Sequence, residues 1–252
     1  MRPPTRRDDS PDRPRRQAAL VVLLAALLVG VPAATWTVTY RTAMASLNNA
    51  ASASAQTRAL ALDSILDRQR AVAVVLSVDQ QVIQTLRDGN SADPAVSAKL
   101  DLLREETQSS VIYLINARGQ AVAASNWDQP TSFVGYDYGF RDYFQQAIQR
   151  GTGQEYALGT VSGKPGLYLA HDVRDAGRPI GVIVVKIEFD ALEAAWARDP
   201  DATHVLDATG KVVISSRPDL RFRDLPPRDR MLSTGADLRR SDWRLVVQTP
   251  MA

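Results

Sequence analysis

The run from Ala18 to Tyr40 carries no charged side chain, and Leu20 to Val31 is almost wholly aliphatic. At about 1.5 Å rise per residue, a helix of this length crosses the ~30 Å hydrocarbon core of a bilayer. This run divides the chain before any other reasoning begins. Residues 1–16, rich in Pro, Arg and Asp, cannot bury apolar surface and are expected to form a short disordered tail. Their arginine excess predicts a cytoplasmic N-terminus, and Trp36 and Tyr40 stand where an aromatic belt meets the outer interface. A cleaved signal peptide is the other reading, because Pro32, Ala33 and Ala34 resemble the flanks of a cleavage site. The apolar run exceeds the roughly 7–15 residues of a signal h-region, which favours an uncleaved anchor over residues 17–40. Either way, everything after Arg41 is expected outside the cytoplasm of a bacterial inner membrane, and no second apolar segment of spanning length follows.

The composition of the exported part excludes several classes of function. A net charge of +2, with many arginines crowded into the first sixteen residues, argues against a nucleic-acid partner. The absence of cysteine removes disulfides, thiolate metal sites and cysteine nucleophiles. His171 and His204 are too few and too separated for a histidine metal cage or a triad, and both read as structural. Gly151-Thr152-Gly153 lacks the rest of a nucleotide loop and reads as a turn. No cofactor, metal or catalytic residue is called for, and no acid, base and nucleophile set can be assembled. The chain is expected not to be an enzyme in its own right.

Between Thr42 and Arg87 there is neither Gly nor Pro, and Ile65, Val72, Leu76, Ile83 and Leu86 form one apolar stripe. This predicts a long stalk helix over 41–88. The stripe packs along its own domain or against a twin helix, and Gln69 and Asp79 disfavour a pure coiled coil. Asp88-Gly89-Asn90-Ser91 stops this helix, and a second runs from about Pro94 to Gln108. Beyond it lies a weak repeat: Leu114 to Ser125 (LINARGQAVAAS) matches Val205 to Ser216 (VLDATGKVVISS). In each copy an apolar strand ends in Asn or Asp, a turn closes on Gly, and a second strand begins. A helix is expected over Arg141–Arg150, with strands over Tyr156–Gly159, Gly166–Asp172, Ile180–Glu188 and Trp243–Gln248. The fold class is α+β, with two related modules of antiparallel sheet and helix at 89–198 and 199–252. The second is short enough to be marginal alone.

Two cations interrupt otherwise structural contexts. Arg141 opens an aromatic-flanked helix, and Lys186 breaks the aliphatic strand Ile-Gly-Val-Ile-Val-Val-Lys-Ile-Glu. A lysine within such a strand must find an anion or reach solvent. The alternatives are ligand binding, or a snorkelling lysine and a surface-turn arginine. Gly159-Thr160-Val161-Ser162-Gly163 supplies hydroxyls and backbone amides that can donate to a carboxylate, as an ordinary hairpin loop also would. Tyr136, Tyr138, Phe140, Tyr143, Phe144 and Tyr168 either wall a pocket or fill the core.

The segments Ala123–Trp127 (AASNW), Ser132–Gly135 (SFVG), Phe140–Phe144 (FRDYF), Ala157–Ser162 (ALGTVS) and Val184–Lys186 (VVK) occur in that order. Together, over about residues 60–226, they resemble the periplasmic sensor region of the C4-dicarboxylate sensor histidine kinases. The resemblance implies a transmembrane helix and long stalk followed by tandem PAS-like (double Cache) modules, the membrane-distal one binding the ligand and the membrane-proximal one shortened. It implies a ligand site of Arg141, Tyr143, Thr160, Val161, Ser162, Gly163, Tyr168 and Lys186. Arg141 and Lys186 would pair with the ligand carboxylates, and Thr160, Ser162 and the Gly163 amide would donate hydrogen bonds. Expected partners are a small anionic ligand such as succinate, malate or fumarate, the inner membrane, a second copy through the stalk helix, and a kinase or transporter. Asp142, Val161 and Ala170 depart from the family's usual proline, threonine and serine. An acid at 142 repels an anion or moves the preference toward an amino acid or hydroxy acid. Neither a histidine phosphoacceptor box nor ATP-binding glycine motifs follow in this sequence, so the kinase half is expected to be lacking. The other readings are a ligand-free remnant that only dimerises and a sensor for another small ligand.

Overall fold

The structure, a computed structural model, describes residues 12–89, 93–227 and 231–250. Of the tail expected at 1–16, residues 1–11 lie outside the described residues, and from Asp12 the chain is already helical. Pro14 does not prevent this, because in a first turn its fixed φ and missing N–H are tolerated. Helix α1 (Asp12–Ser77) holds, among the described residues, the one stretch long and apolar enough to cross a membrane. Its side chains there lie open: Leu28 is 79% and Trp36 74% exposed. The chain divides near Ala50 and Ala51 into two compact units, and every sheet belongs to the second.

Within that second unit, Ala55, Ala59, Leu62, Leu66, Ala73 and Leu76 bury one face of α1. Gln69, almost fully buried, bonds the Thr107 carbonyl at 2.8 Å and accepts from Ser109 Oγ at 2.6 Å. The stripe therefore packs along its own domain. The single helix expected to Asp88 is two: α1 ends at Ser77, and α2 (Gln80–Asp88) starts afresh. Asp79 causes the break, because its carboxylate accepts from the Gln81 and Val82 amides as a helix N-cap. Helix α3 (Pro94–Thr107) follows, capped in the same way by Asp93.

The first sheet comprises β1 (Val111–Asn116), β2 (Ala121–Ala124), β3 (Thr152–Leu158), β4 (Pro165–Asp175) and β5 (Arg178–Ile187), in the order β2-β1-β5-β4-β3. The second comprises β6 (Ala202–Leu206), β7 (Val212–Ser215), β8 (Met231–Asp237) and β9 (Arg244–Pro250), in the order β7-β6-β9-β8. Every pairing is antiparallel. Helix α4 (Asp142–Arg150) lies between β2 and β3 in the chain, and α5 (Asp190–Trp196) links the sheets. Alternation along the strands divides the first sheet's core in two. Ile112, Leu114, Ile183 and Val185 join the α1 residues, whereas Tyr113, Tyr168 and Val184 join Tyr143, Phe144 and Ala147 of α4.

The two hairpins are the same device built twice. Asn116 Oδ1 accepts from the Arg118 and Gln120 amides, and Asp207 Oδ1 from those of Thr209 and Lys211. Gly119 and Gly210 close the turns at φ 91° and 83°, a region that only glycine enters freely. The register shifts once in each copy, between Leu114 and Ile115 and between Val205 and Leu206. Ser125 Oγ accepts from the Ile112 amide at 3.0 Å, and Ser216 Oγ from the Thr203 amide at 3.0 Å. The match between the hairpin sequences is therefore structural.

Candidate functional site

The α4-facing side of the first sheet carries a row of paired residues across four strands: Glu155 on β3, Tyr168 on β4, Lys186 on β5 and Val111 on β1. Helix α4 covers this side by burying Tyr143, Phe144 and Ala147. Arg141 is its N-cap residue, in extended conformation (φ −75°, ψ 138°), and this delivers the guanidinium back over the sheet. Asp142 follows in the exposed first turn, where the helix dipole favours a negative charge.

Lys186 is fully buried. Its Nζ donates to Ser162 Oγ at 2.8 Å and to Glu188 Oε1 at 2.6 Å. Arg141 donates to the Leu158 carbonyl at 2.9 Å and lies 3.3 Å from Glu155 Oε1. Both cations sit over one ring: Arg141 Cζ and Lys186 Nζ are each 5.8 Å from the centre of Tyr168. Tyr143 stacks on Tyr168 at 5.1 Å and accepts a 2.7 Å hydrogen bond from Tyr113 Oη. Burial pushes the Tyr168 phenol up to about 12 against the opposing pull of Arg141, and pushes Tyr138 and Tyr143 up further. These phenols stay protonated at neutral pH and can donate to an anion. Two buried polar atoms here have no hydrogen-bond partner among the described residues, Arg141 Nε and Tyr138 Oη; the Thr160 side chain lies beside the latter outside hydrogen-bond geometry. Orphaned donors in a buried polar cluster call for an occupant.

The structure thus brings together Arg141, Tyr143, Ser162, Tyr168 and Lys186. Val161 packs against the aromatic cluster at its rim, and Thr160 is exposed. Gly163 departs from expectation. Its amide already donates to the Gly159 carbonyl at 2.9 Å, closing the β3–β4 turn at φ +63°, so it is not a free donor. Gly159 is the glycine the site requires, since a Cβ there would collide with Ser162 Oγ and lie 3.0 Å from Tyr168 Oη. Sequence reasoning missed the two acids. Glu188 is two residues after Lys186, and Lys164 also approaches it, at 3.5 Å. Glu155 is brought in by strand register alone.

A long helix bearing two tandem antiparallel modules, the larger with two cations around a buried tyrosine, defines a PAS-like sensory architecture. Residues 37–252 match the family described as Cache domain (dCache_1), and the chain belongs to that family. Over 208 residues, 81% of its length, it is 41% identical to the C4-dicarboxylate transport sensor protein DctB of Rhizobium meliloti (strain 1021). Over 152 residues, 60% of its length, it is 38% identical to the protein of the same name from Pseudomonas aeruginosa. The matched regions span 33% and 25% of those relatives. Among solved structures, the sensor domain of the V. cholerae histidine kinase DctB aligns with a TM-score of 0.72 at 23% identity, covering 82% of this chain and 98% of that one. The ligand-binding domain of the Pseudomonas fluorescens chemoreceptor CtaA, in complex with L-serine, aligns at 0.66 and 14% identity, with the same two coverages. The two likenesses show a shared fold.

Proposed function

We propose that this chain is the sensory part of a membrane-anchored two-component sensor, and that the α4-facing side of its first sheet binds a C4-dicarboxylate such as succinate, malate or fumarate outside the cytoplasm. The observation that carries this reading is the convergence of Arg141 and Lys186 on the Tyr168 ring. Two separated cations in a dry, aromatic setting suit a ligand with an anion at each end, and charge-assisted hydrogen bonds offset its desolvation. A monocarboxylate leaves one cation without a ligand partner, so discrimination should be steep. Glu155 and Glu188 serve as resident counter-ions to the two cations. The 3.3 Å Arg141 contact is long for an ion pair and is the one a ligand carboxylate displaces first. The match to DctB over four-fifths of the chain supports the ligand class, and the apolar stretch of α1 supports a single-pass anchor with a cytoplasmic N-terminus. The open face of α1 at Leu60, Val74 and Val75 supports pairing with a second copy through the stalk. A kinase or transporter would receive the signal.

A second reading has its own observation. Glu155 and Glu188 lie in the site itself, and a carboxylate beside a cation also suits the ammonium and carboxylate of an amino acid. Thermal unfolding of the full chain in detergent micelles separates the two. Succinate, malate or fumarate at about 100 times its Kd should raise Tm by roughly 5–10 °C, and Arg141→Ala should abolish the shift. A shift with amino acids alone would replace the dicarboxylate reading with the second. No shift with any of them would leave the chain as a module that only dimerises, which light scattering on the same sample reads.

A further inference from the structure

A cavity of about 530 Å³ lies at the β3 edge of the first sheet, away from the Arg141 and Lys186 site. Its walls come from α1, the end of α4, strands β3 and β4, and the loop between β8 and β9. Leu169 belongs to the core formed with α1 and Ala170 to the core under α4, so the cavity wraps round the β3 edge, and it shares no lining residue with the Arg141 and Lys186 site.

Three guanidinium groups reach this cavity from three elements: Arg70, Arg150 and Arg240. Arg70 is held in place by the Arg240 carbonyl at 3.1 Å and Gln154 Oε1 at 3.4 Å. Its one acidic partner among the described residues is Asp67, at 3.3 Å, and Asp67 is also the one acid near Arg240, at 3.6 Å. Arg150 has neither an ion pair nor a hydrogen bond from its side chain among the described residues. His171 stands beside them with Nδ1 2.9 Å from the Asp172 carbonyl oxygen and 3.4 Å from its carboxylate, which Arg174 engages at 2.5 Å. Of the three guanidinium groups around this space of small-molecule size, Arg70 and Arg240 thus share the single carboxylate of Asp67, and Arg150 has no carboxylate partner among the described residues.

We infer that this cavity is a second, separate anion site that takes a small multivalent oxyanion, a polycarboxylate or a phosphate. Planar guanidinium forks match carboxylate and phosphate oxygens in pairs, and three of them from three directions select for an anion charged on more than one side. An occupant would touch the stalk helix, the first sheet and the second module's loop at once. Such a site could tune the response to the sensed ligand.

The test is isothermal titration of the full chain in detergent with citrate and, separately, with inorganic phosphate, at constant ionic strength against a chloride control. Saturable binding of one or both is expected, and which of them binds identifies the oxyanion. Arg150 is exposed and Arg240 is 70% exposed, so Arg150→Gln and Arg240→Gln should leave the unliganded Tm unchanged. Each should weaken binding about tenfold, as expected for the loss of one charge-assisted contact. Arg141→Ala should bind as the unaltered chain does. The inference is overturned if neither anion binds beyond the chloride control, if the double variant binds undiminished, or if Arg141→Ala abolishes binding and so places the anion in the sensing site.

Discussion

The two sheet modules are built on one hairpin plan, yet among the described residues only the first buries a lysine within its sheet; the acid buried against the second, Glu193 of α5, accepts from the Ser215 amide and pairs with Arg221 instead. The repeat sets Val111 against Ala202, Tyr113 against His204 and, through the β1–β5 and β6–β9 registers, Lys186 against Gln248. Across the first sheet the row reads Glu155, Tyr168, Lys186. Across the second, which has no counterpart of β3 among the described residues, it reads Ser233, Gln248. Two residues beyond Lys186 stands Glu188, whose carboxylate makes the buried ammonium tolerable; two residues beyond Gln248 stands Pro250. The scaffold is thus indifferent to charge, and the site depends on a few residues placed on it. The larger module has the extra strand and the covering helix that shield a charged cluster from water, and the smaller keeps the same position neutral.

Exchanging those residues tests the comparison most severely. Gln248→Lys should place an ammonium in a buried position with no acid two residues on, costing about 3–5 kcal/mol of folding stability in urea melts of the full chain. Adding Pro250→Glu should recover part of that loss by supplying the missing partner. If Gln248→Lys is nearly neutral, the second module is more hydrated than its buried surface implies, and the contrast between the modules fails.

How much of this was legible in the sequence follows from the range of the interactions. The hairpins were readable because Asn116, Gly119, Asp207 and Gly210 act within five residues, through Asx turns and positive φ. Helix α3 was readable for the same reason, since Asp93 and Pro94 mark its start. The break at Asp79 was missed because its apolar stripe continues past it, and only the capping hydrogen bonds show that the aspartate ends one helix and starts another. Strand β8 was missed because an edge strand reading Met-Leu-Ser-Thr-Gly-Ala-Asp has little apolar alternation. In the candidate site, Arg141 and Lys186 announced themselves as charges out of context. Glu155 could not, because its place beside Tyr168 depends on pairing between strands.

A smaller effect sharpens the contrast between Tyr113 and His204. Burial, aided by the nearby Arg217, holds the His204 imidazole down at about 4, although Gln248 and Asp219 pull the other way. Above pH 6.5 the ring is neutral in the folded and unfolded chains alike. Below it the unfolded chain takes up a proton that the folded one refuses, so stability declines until about pH 4. The contribution is on the order of 2 kcal/mol. His204→Phe should flatten the pH dependence of urea unfolding between pH 7 and 4.5 by that amount. An unchanged slope would mean that the second module already admits the proton, and hence water.

The smallest effect asks whether the two modules stand or fall together. Asn116→Ala and Asp207→Ala each remove a half-buried side-chain acceptor for two turn amides, worth about 1 kcal/mol apiece. Residues Ala51–Ala252 form one compact unit, and buried residues of both modules share one continuous core. If the unit unfolds cooperatively, either substitution should move the same single transition by a similar amount, measured by circular dichroism and by the fluorescence of Trp243 in the second module. If Asp207→Ala instead splits off an early transition seen only by Trp243, the short second module is an independent folding unit after all. The first sheet would then hold the buried ammonium of Lys186 because that module alone is stable enough to bury it.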